Sequence, residues 1–531
     1  MESTVKTAET VVGFIDIGTN AIRLLVARIN PNFSYTVISR EKEVVRLGEG
    51  EFSDQTLKPV AMERTIFVCG KFVDLARTYG ATEIISVGTS AIREATNQAE
   101  FLESLKAKTG LSVRVISGEE EARLIWLGVS SGIDIGSKKE LFIDLGGGST
   151  EISIGNQHEC FYINSLRLGA IRLTAQFIGD SWTAPIDFGL YKKIRQYACS
   201  KINIIKPHIL EYGVRLGWGS SGTITNLAEV TNKLFKKTSS NNKALVLTRK
   251  NLKKLATLLC LLPLEERRKL PAINPERADI IVAGAAIIEA VMEELGLEEI
   301  RISNRELRDG LLVEYLSNFE GFRELQKEPI RNQSILHLGR SCNFDEKHAQ
   351  TVADLSLELF DSAKQIELHN LGSKERDLLR HAASLHDIGD FLSFNDHHIH
   401  SHYIIRNAGL AGFDKTELQL MANIARFHRK KFPTKKVLKA EAGMDEKSKE
   451  IIAVLSTFLR LAEKLDRSHR GLVKKVEFVR EGKNHVVLRF YSDNDCSLEE
   501  WSIIQNQPAF YGAFEKTLCV QCIVKLNPGG I

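Results

Sequence analysis

A short apolar run, Val11 to Ile17, closes on Asp16-Ile17-Gly18-Thr19-Asn20 and gives way to the alternating run Ala21 to Ala27. The pattern returns about 130 residues later. Leu141 to Leu145 ends in Asp144-Leu145-Gly146-Gly147-Gly148-Ser149-Thr150, followed by Glu151 to Ile154. Each copy predicts a buried strand, a tight acidic turn rich in glycine, and a second strand, which together make a hairpin. Two such hairpins predict a duplicated α/β domain with a cleft between the copies.

The stretches between the hairpins mix both periods. Val60 to Thr78 repeats with helical spacing, Glu83 to Val87 and Val113 to Ser117 read as strands, and Ser117 opens a helix through Leu127. The second copy predicts helices near Tyr191 to Lys206, Ile224 to Asn232 and Ala278 to Leu295, with a closing strand at Ile300 to Ser303. Beyond Glu320 the pattern turns helical. Ten of the fourteen histidines fall between His337 and His428, where an even spread would place about two or three. Strand-like alternation returns from Val476 to Leu526. The predicted domains are therefore 1–130, 131–320, an all-α domain at 321–473 and a small α/β or β appendage at 474–531.

Composition narrows the class. The 531 residues, 43% hydrophobic and 26% charged, describe a soluble globular protein of three or four domains at about 150 residues each. A net charge of +4 is too small to announce nucleic acid, so none is expected. The first ten residues lack the pattern of a signal peptide, and the longest apolar stretch, Ile280 to Met292, carries Glu289 and falls short of the roughly 18 residues of a membrane span. With eight dilute cysteines, a reducing cytoplasm and no membrane partner are expected. Cys519 and Cys522 form one CxxC without a second pair, inside an alternating run, and read as strand residues.

The chemistry concentrates in the turns. Glycines at Gly18, Gly146, Gly147 and Gly148 let backbone N–H groups approach phosphate oxygens. Thr19, Asn20 and Ser149 add polar side chains, and Asp16 or Asp144 can hold Mg²⁺ or a water. Ser221-Gly222-Thr223 leads into a helix whose N-terminus suits an anion. In Ser117-Gly118-Glu119-Glu120-Glu121, Ser117 and Glu120 form a capping box and Glu119 fits a solvated first turn. Glu121, about 100° around the helix from Glu120, is left as a candidate general base. Arg93, at a strand-to-helix junction, suits either phosphate or a surface ion pair. Arg267, Arg268 and Lys269 would form a track for a polyanion, or a solvated helix face. In the histidine-rich region His348, His386, Asp387, His400, His428 and Asp466 make a mixed nitrogen and oxygen set suited to a second divalent metal.

Five segments, Asp16 to Leu24, Gly88 to Ala95, Ser117 to Leu124, Ile143 to Glu151 and Gly219 to Thr223, jointly resemble the Ppx/GppA phosphatase family. That resemblance implies two ribonuclease H-like domains of the actin/Hsp70/sugar-kinase type forming a cleft, then an HD-like all-α domain and the small appendage. It implies Glu121 as catalytic base, and Asp144 and Glu151 around Mg²⁺ or Mn²⁺. The terminal phosphates would be cradled by Asp16, Gly18, Thr19, Asn20, Arg93, Gly146, Gly147, Gly148, Ser149, Ser221, Gly222 and Thr223. Inorganic polyphosphate is the expected substrate and guanosine pentaphosphate (pppGpp) the alternative. The helical domain would serve dimerisation and chain guidance, hence an expected homodimer. Arg305 and Glu306 depart from the family's small residues before Leu307-Arg308. An ATP-dependent kinase or ATPase on the same fold, and a polyphosphate or nucleotide sensor without turnover, are the competing readings.

Overall fold

The computed structural model describes residues 9–179, 182–235, 245–430 and 444–524. These form two compact units that divide after Ile330. The division falls beyond the predicted boundary at 320 because the helix Glu320–Gln326 packs Phe322 and Leu325 within the first unit.

The first unit contains two sheets with one repeated topology. Strands β1 (Thr10–Ile17), β2 (Ala21–Ile29), β3 (Tyr35–Val44), β4 (Glu83–Gly88) and β5 (Arg114–Val115) lie in the order β3-β2-β1-β4-β5. The second sheet is built from β6 (Glu140–Leu145), β7 (Thr150–Gly155), β8 (Cys160–Leu166), β9 (Gly217–Ser220), β10 (Val246–Thr248) and β11 (Glu299–Ile302). Its order, read from the matching edge, is β8-β7-β6-β9-β11-β10. In both sheets a three-stranded antiparallel meander adds parallel strands beside its first strand. This is the duplicated ribonuclease H-like fold, and it bears out the predicted α/β class.

Burial explains why those hairpins could be read. β1 and β6 are central strands covered on both faces, so they read as continuous apolar runs. Cross-strand register then fixes the chemistry, because Asp16 on β1 faces Arg23 on β2, and Asp144 on β6 faces Glu151 on β7. The two copies thus place an aspartate at one position and opposite charges seven residues later. Between the sheets' helices, Ile281–Glu294 is apolar on nearly every side and forms the centre of the second sheet's core. Its buried Glu289 accepts a hydrogen bond from the Tyr191 hydroxyl at 2.6 Å.

The second unit is mainly helical, with long helices Glu346–Gln365 and Glu446–Leu465, shorter ones Ser373–Ser384, His397–Asn407 and Lys415–Arg426, and a small sheet. The sheet orders β12 (Val473–Glu481), β13 (His485–Ser492) and β14 (Thr517–Val524), the last two parallel. One hydrophobic core runs from Ile335 through Phe458 and Phe490 to Leu518, so the predicted appendage at 474–531 shares the core of the helical region. Cys519 and Cys522 are free thiols within β14. Among the described residues, no helix is long and apolar enough to cross a membrane.

Candidate active site

The turns of the two hairpins converge. A Cβ placed on Gly147 would come within 3.0 Å of the Thr19 side chain, and one on Gly148 within 2.4 Å of Ser90 Oγ. Substituents there would occupy the space where the two turns meet. The carbonyls of Gly146 and Gly147 accept from the backbone of Ala170, Ile171 and Arg172, and the Arg172 Nε–H donates to the Gly148 carbonyl at 2.7 Å. Those bonds pin the orientation of the glycine loop. Asp16, Gly18, Thr19, Asn20, Glu121, Asp144, Gly146, Gly147, Gly148, Ser149, Ser221, Gly222 and Thr223 line one narrow cavity of about 60 Å³. That is room for a terminal phosphoryl group.

Glu306 and four further acidic side chains face or adjoin this space. Asp16 keeps Oδ2 on Arg23 Nη1 at 3.2 Å while Oδ1 is buried without a partner. Asp144 accepts a hydrogen bond from the Ser220 hydroxyl. Glu151 accepts from the Ser165 hydroxyl at 2.8 Å, and its other oxygen is buried and unpaired. Glu121 Oε2 accepts from Arg93 Nη1 at 3.1 Å. Burial raises the Asp144 carboxyl to about 6 and, with Asp144 beside it, the Glu151 carboxyl to about 7. Burial and then Glu151 hold Glu121 well above the usual carboxylate range, against the opposing pull of Arg93. Crowded carboxyls with two orphaned oxygens are an all-oxygen donor set suited to a hard divalent cation.

The helix Gly118–Ser130 presents Glu121 through its cap. Ser117 Oγ accepts the Glu120 N–H at 3.0 Å, as the capping box predicts, but the Glu120 carboxylate is drawn outward to Arg114. Glu121 then falls on the buried side, 8% exposed. Opposite it, Ser221 adopts φ 82° at the start of the helix Gly222–Phe235, and Arg277 donates to Thr223 Oγ1 at 3.0 Å.

The sequence profile of the Ppx/GppA phosphatase family matches residues 25–319, and the profile of Ppx/GppA phosphatase domain III matches residues 330–507. The chain belongs to the Ppx/GppA phosphatase family. A guanosine-5'-triphosphate,3'-diphosphate pyrophosphatase of Vibrio vulnificus is 30% identical over 421 residues, 78% of this chain and 80% of the relative. A protein of the same description from Photobacterium profundum is 28% identical over the same shares. Among solved structures, an exopolyphosphatase from Cytophaga hutchinsonii superposes with a TM-score of 0.54 at 26% identity, covering 59% of this chain and 99% of its own.

Within this Ppx/GppA chain, several side chains named from sequence stand elsewhere than the cavity wall. Arg93 is engaged by the Ile116 carbonyl and Glu121, so it braces the acid. Arg267 is buried and donates to the carbonyls of Leu262, Ala278 and Ala184, while Arg268 and Lys269 pair with Glu265 and Glu266. The three do not form a continuous basic track. Arg23, Arg277 and Glu306, which sequence reasoning did not assign, line the cavity. Glu306 binds Arg23 at 2.9 Å, and Arg305 turns aside to Ser131. The available signal for Arg23 was one charge in the otherwise apolar start of β2.

In the helical unit of this phosphatase, the structure gathers His348, His386 and Asp387 with Glu463, and Asp387 again with His397 and His428. Asp466 binds the far side of His348, Oδ2 to Nδ1 at 2.8 Å. His400 joins neither group; His397, three residues earlier and at the first position of its helix, is the histidine that does.

Proposed function

We propose that this chain hydrolyses the terminal phosphoanhydride bond of inorganic polyphosphate, with Glu121 as the base that takes a proton from the attacking water. The observation that carries the reading is the placement of Glu121, Asp144 and the Gly146–Gly148 loop around one cavity sized for a phosphoryl group. Asp144 and Glu151 would hold Mg²⁺ or Mn²⁺, which when bound supplies charge neutralisation at the phosphoryl oxygens. The orphaned Glu151 oxygen and the hard donor set fit that ion.

The chain's own groups do the rest. Thr19, Asn20, Ser149 and the glycine loop orient the terminal phosphate, and both polar atoms of the Asn20 side chain are buried without a hydrogen-bond partner in the protein. The N-terminus of Gly222–Phe235, with Thr223 braced by Arg277, favours negative charge on the opposite wall. Arg93 holds the Glu121 carboxylate in place. The water oxygen bonds to phosphorus, the anhydride oxygen departs with the shortened chain, and Glu121 retains the proton until release. Such chemistry gains its rate from positioning and electrostatics.

No aromatic side chain lines the cavity among the described residues, which supports a substrate read as phosphate alone. The names of the two relatives aligned over 78% of the chain favour pppGpp as the second reading. Phosphate release from long polyphosphate, tripolyphosphate and pppGpp, measured side by side, tests both. Polyphosphate is expected to give the highest kcat/KM. Glu121→Gln is expected to lower kcat by about 10²–10⁴-fold with KM nearly unchanged. Binding without turnover in the wild type, or full turnover in Glu121→Gln, overturns the proposal.

A further inference from the structure

Three carbonyls hold the glycine loop of the cleft in place. The Ala170 N–H donates to the Gly146 carbonyl at 3.1 Å, and those of Ile171 and Arg172 donate to the Gly147 carbonyl at 2.9 and 3.1 Å. These are first-turn N–H groups of the helix Ala170–Phe177, which have no acceptor within the helix itself. The Gly148 carbonyl takes a side chain instead, Arg172 Nε at 2.7 Å. A trans peptide points its N–H opposite to its carbonyl. With all three carbonyls bonded to this helix, the N–H groups of Gly147, Gly148 and Ser149 turn away from it, and those residues line the cavity. Helix backbone thus sets the first two of these peptides, and the Arg172 side chain sets the third.

The same guanidinium reaches across the cleft. Arg172 belongs to the lobe built on the second sheet, whereas Glu94 ends the helix Ser90–Glu94 on the lobe of the first. Arg172 Nη2 donates to Glu94 Oε1 at 2.7 Å, and each of the two side chains is 15% exposed. Glu94 Oε1 also accepts from the Ser90 hydroxyl at 3.0 Å, and Ser90 lines the cavity. Phe52, from the lobe of Glu94, offers its ring to the guanidinium at 4.1 Å and packs on Ala170, Ile171 and Ile280 of the other lobe. An exposed ion pair contributes little, but a shielded guanidinium with two acceptors and an aromatic face is held in one geometry.

We infer that Arg172 is a positioning residue of the cleft, one that orients the last peptide of the glycine loop only while the two lobes are in register. It joins a carbonyl of its own lobe to a carboxylate of the other, so a shift of either lobe is felt at the Gly148–Ser149 peptide. Ser90 is placed by the same contact, because it shares Glu94 Oε1. Phosphoanhydride hydrolysis draws its rate from placement of such donors, and an error of about 1 Å costs about 10²-fold. The role rests on the cleft being the hydrolytic site, and it holds for either polyphosphate or pppGpp.

Steady-state hydrolysis by the full chain with Mg²⁺ tests it, on whichever of long polyphosphate and pppGpp the wild type turns over faster. Arg172→Ala is expected to lower kcat by about 10–10²-fold and to change KM by less than about threefold. Millimolar guanidinium ion is expected to restore part of that kcat, where sodium at equal ionic strength restores none. Arg172→Lys keeps the charge and a stem over Phe52 but cannot fork onto both acceptors, so it is expected to fold normally with kcat still lowered. Glu94→Gln keeps an acceptor for Ser90. It is expected to lower kcat in the wild type, but by less than about twofold in Arg172→Ala, because it acts through Arg172. Full kcat in Arg172→Lys, a loss in Arg172→Ala that guanidinium leaves untouched, or additive losses in the double variant overturns the positioning role alone. A wild type that hydrolyses neither substrate overturns the cleft reading and this role with it.

Discussion

Glu121 carries two conflicting demands. It must be buried to stand over a phosphoryl group, yet burial and Glu151 favour its protonated form, which cannot accept a proton. Arg93 at 3.1 Å opposes that tendency, and so would a cation shared with Asp144 and Glu151. The sign follows from the raised carboxyls. Activity needs Glu121 ionised, so it is lost as pH falls through a value above the ordinary carboxylate range. The acidic limb of kcat/KM is therefore expected to sit high at low Mg²⁺ and to move to lower pH as Mg²⁺ saturates. Arg93→Ala is expected to move it back up. Rate profiles from pH 5 to 9 at two Mg²⁺ concentrations check this, and a limb indifferent to both Mg²⁺ and Arg93 would remove Arg93 from its bracing role.

At the scale of elements, close approach decides what each glycine does. A Cβ on Gly222 would lie 2.3 Å from Arg277 Nη2, whose guanidinium is held by Thr223 and walls the cleft. A Cβ on Gly70, inside the helix Pro59–Thr78, would meet Thr109 at an ordinary 3.6 Å. The same substitution should thus act in opposite directions. Gly222→Ala is expected to cost about 1–3 kcal/mol and raise KM for tripolyphosphate. Gly70→Ala is expected to gain about 0.5–1 kcal/mol and leave KM alone. Chemical denaturation and initial rates on the pair decide it. The same scale explains what could be read from sequence. β1 and β6 were legible because both faces are covered and their turns carry Asp and Gly. β3 and β8 were not, being edge strands whose half-exposed residues blur the alternation. Glu463 lies in a helix end already crowded with Arg460, Lys464 and Asp466, and only packing distinguishes it. His397 and His400 lie three apart on one helix, so spacing alone could not choose between them.

At the scale of the molecule, the cores stay within the units, one on each of the two sheets in the first and one from Ile335 to Leu518 in the second. The polar centres differ in donor chemistry, all oxygen in the cleft and mixed nitrogen and oxygen in the helical unit. A cation that binds only folded protein stabilises the unit that holds it, by about 2.7 kcal/mol at a hundred times its dissociation constant. Mg²⁺ prefers oxygen donors, and imidazole favours the transition metals. Calorimetric melting of the metal-stripped chain is therefore expected to show two transitions, with Mg²⁺ raising one and Zn²⁺ raising the other. The raised carboxyls sharpen the assignment. In the stripped cleft Asp144 and Glu151 bind protons more tightly folded than unfolded, so their contribution to stability is present below about pH 4 and lost as pH rises through about 6 to 7. The transition that Mg²⁺ raises should then melt lower at pH 8 than at pH 6, and Glu151→Gln should abolish much of that difference. A single transition moved alike by both ions would mean that the two centres do not stabilise separate cores.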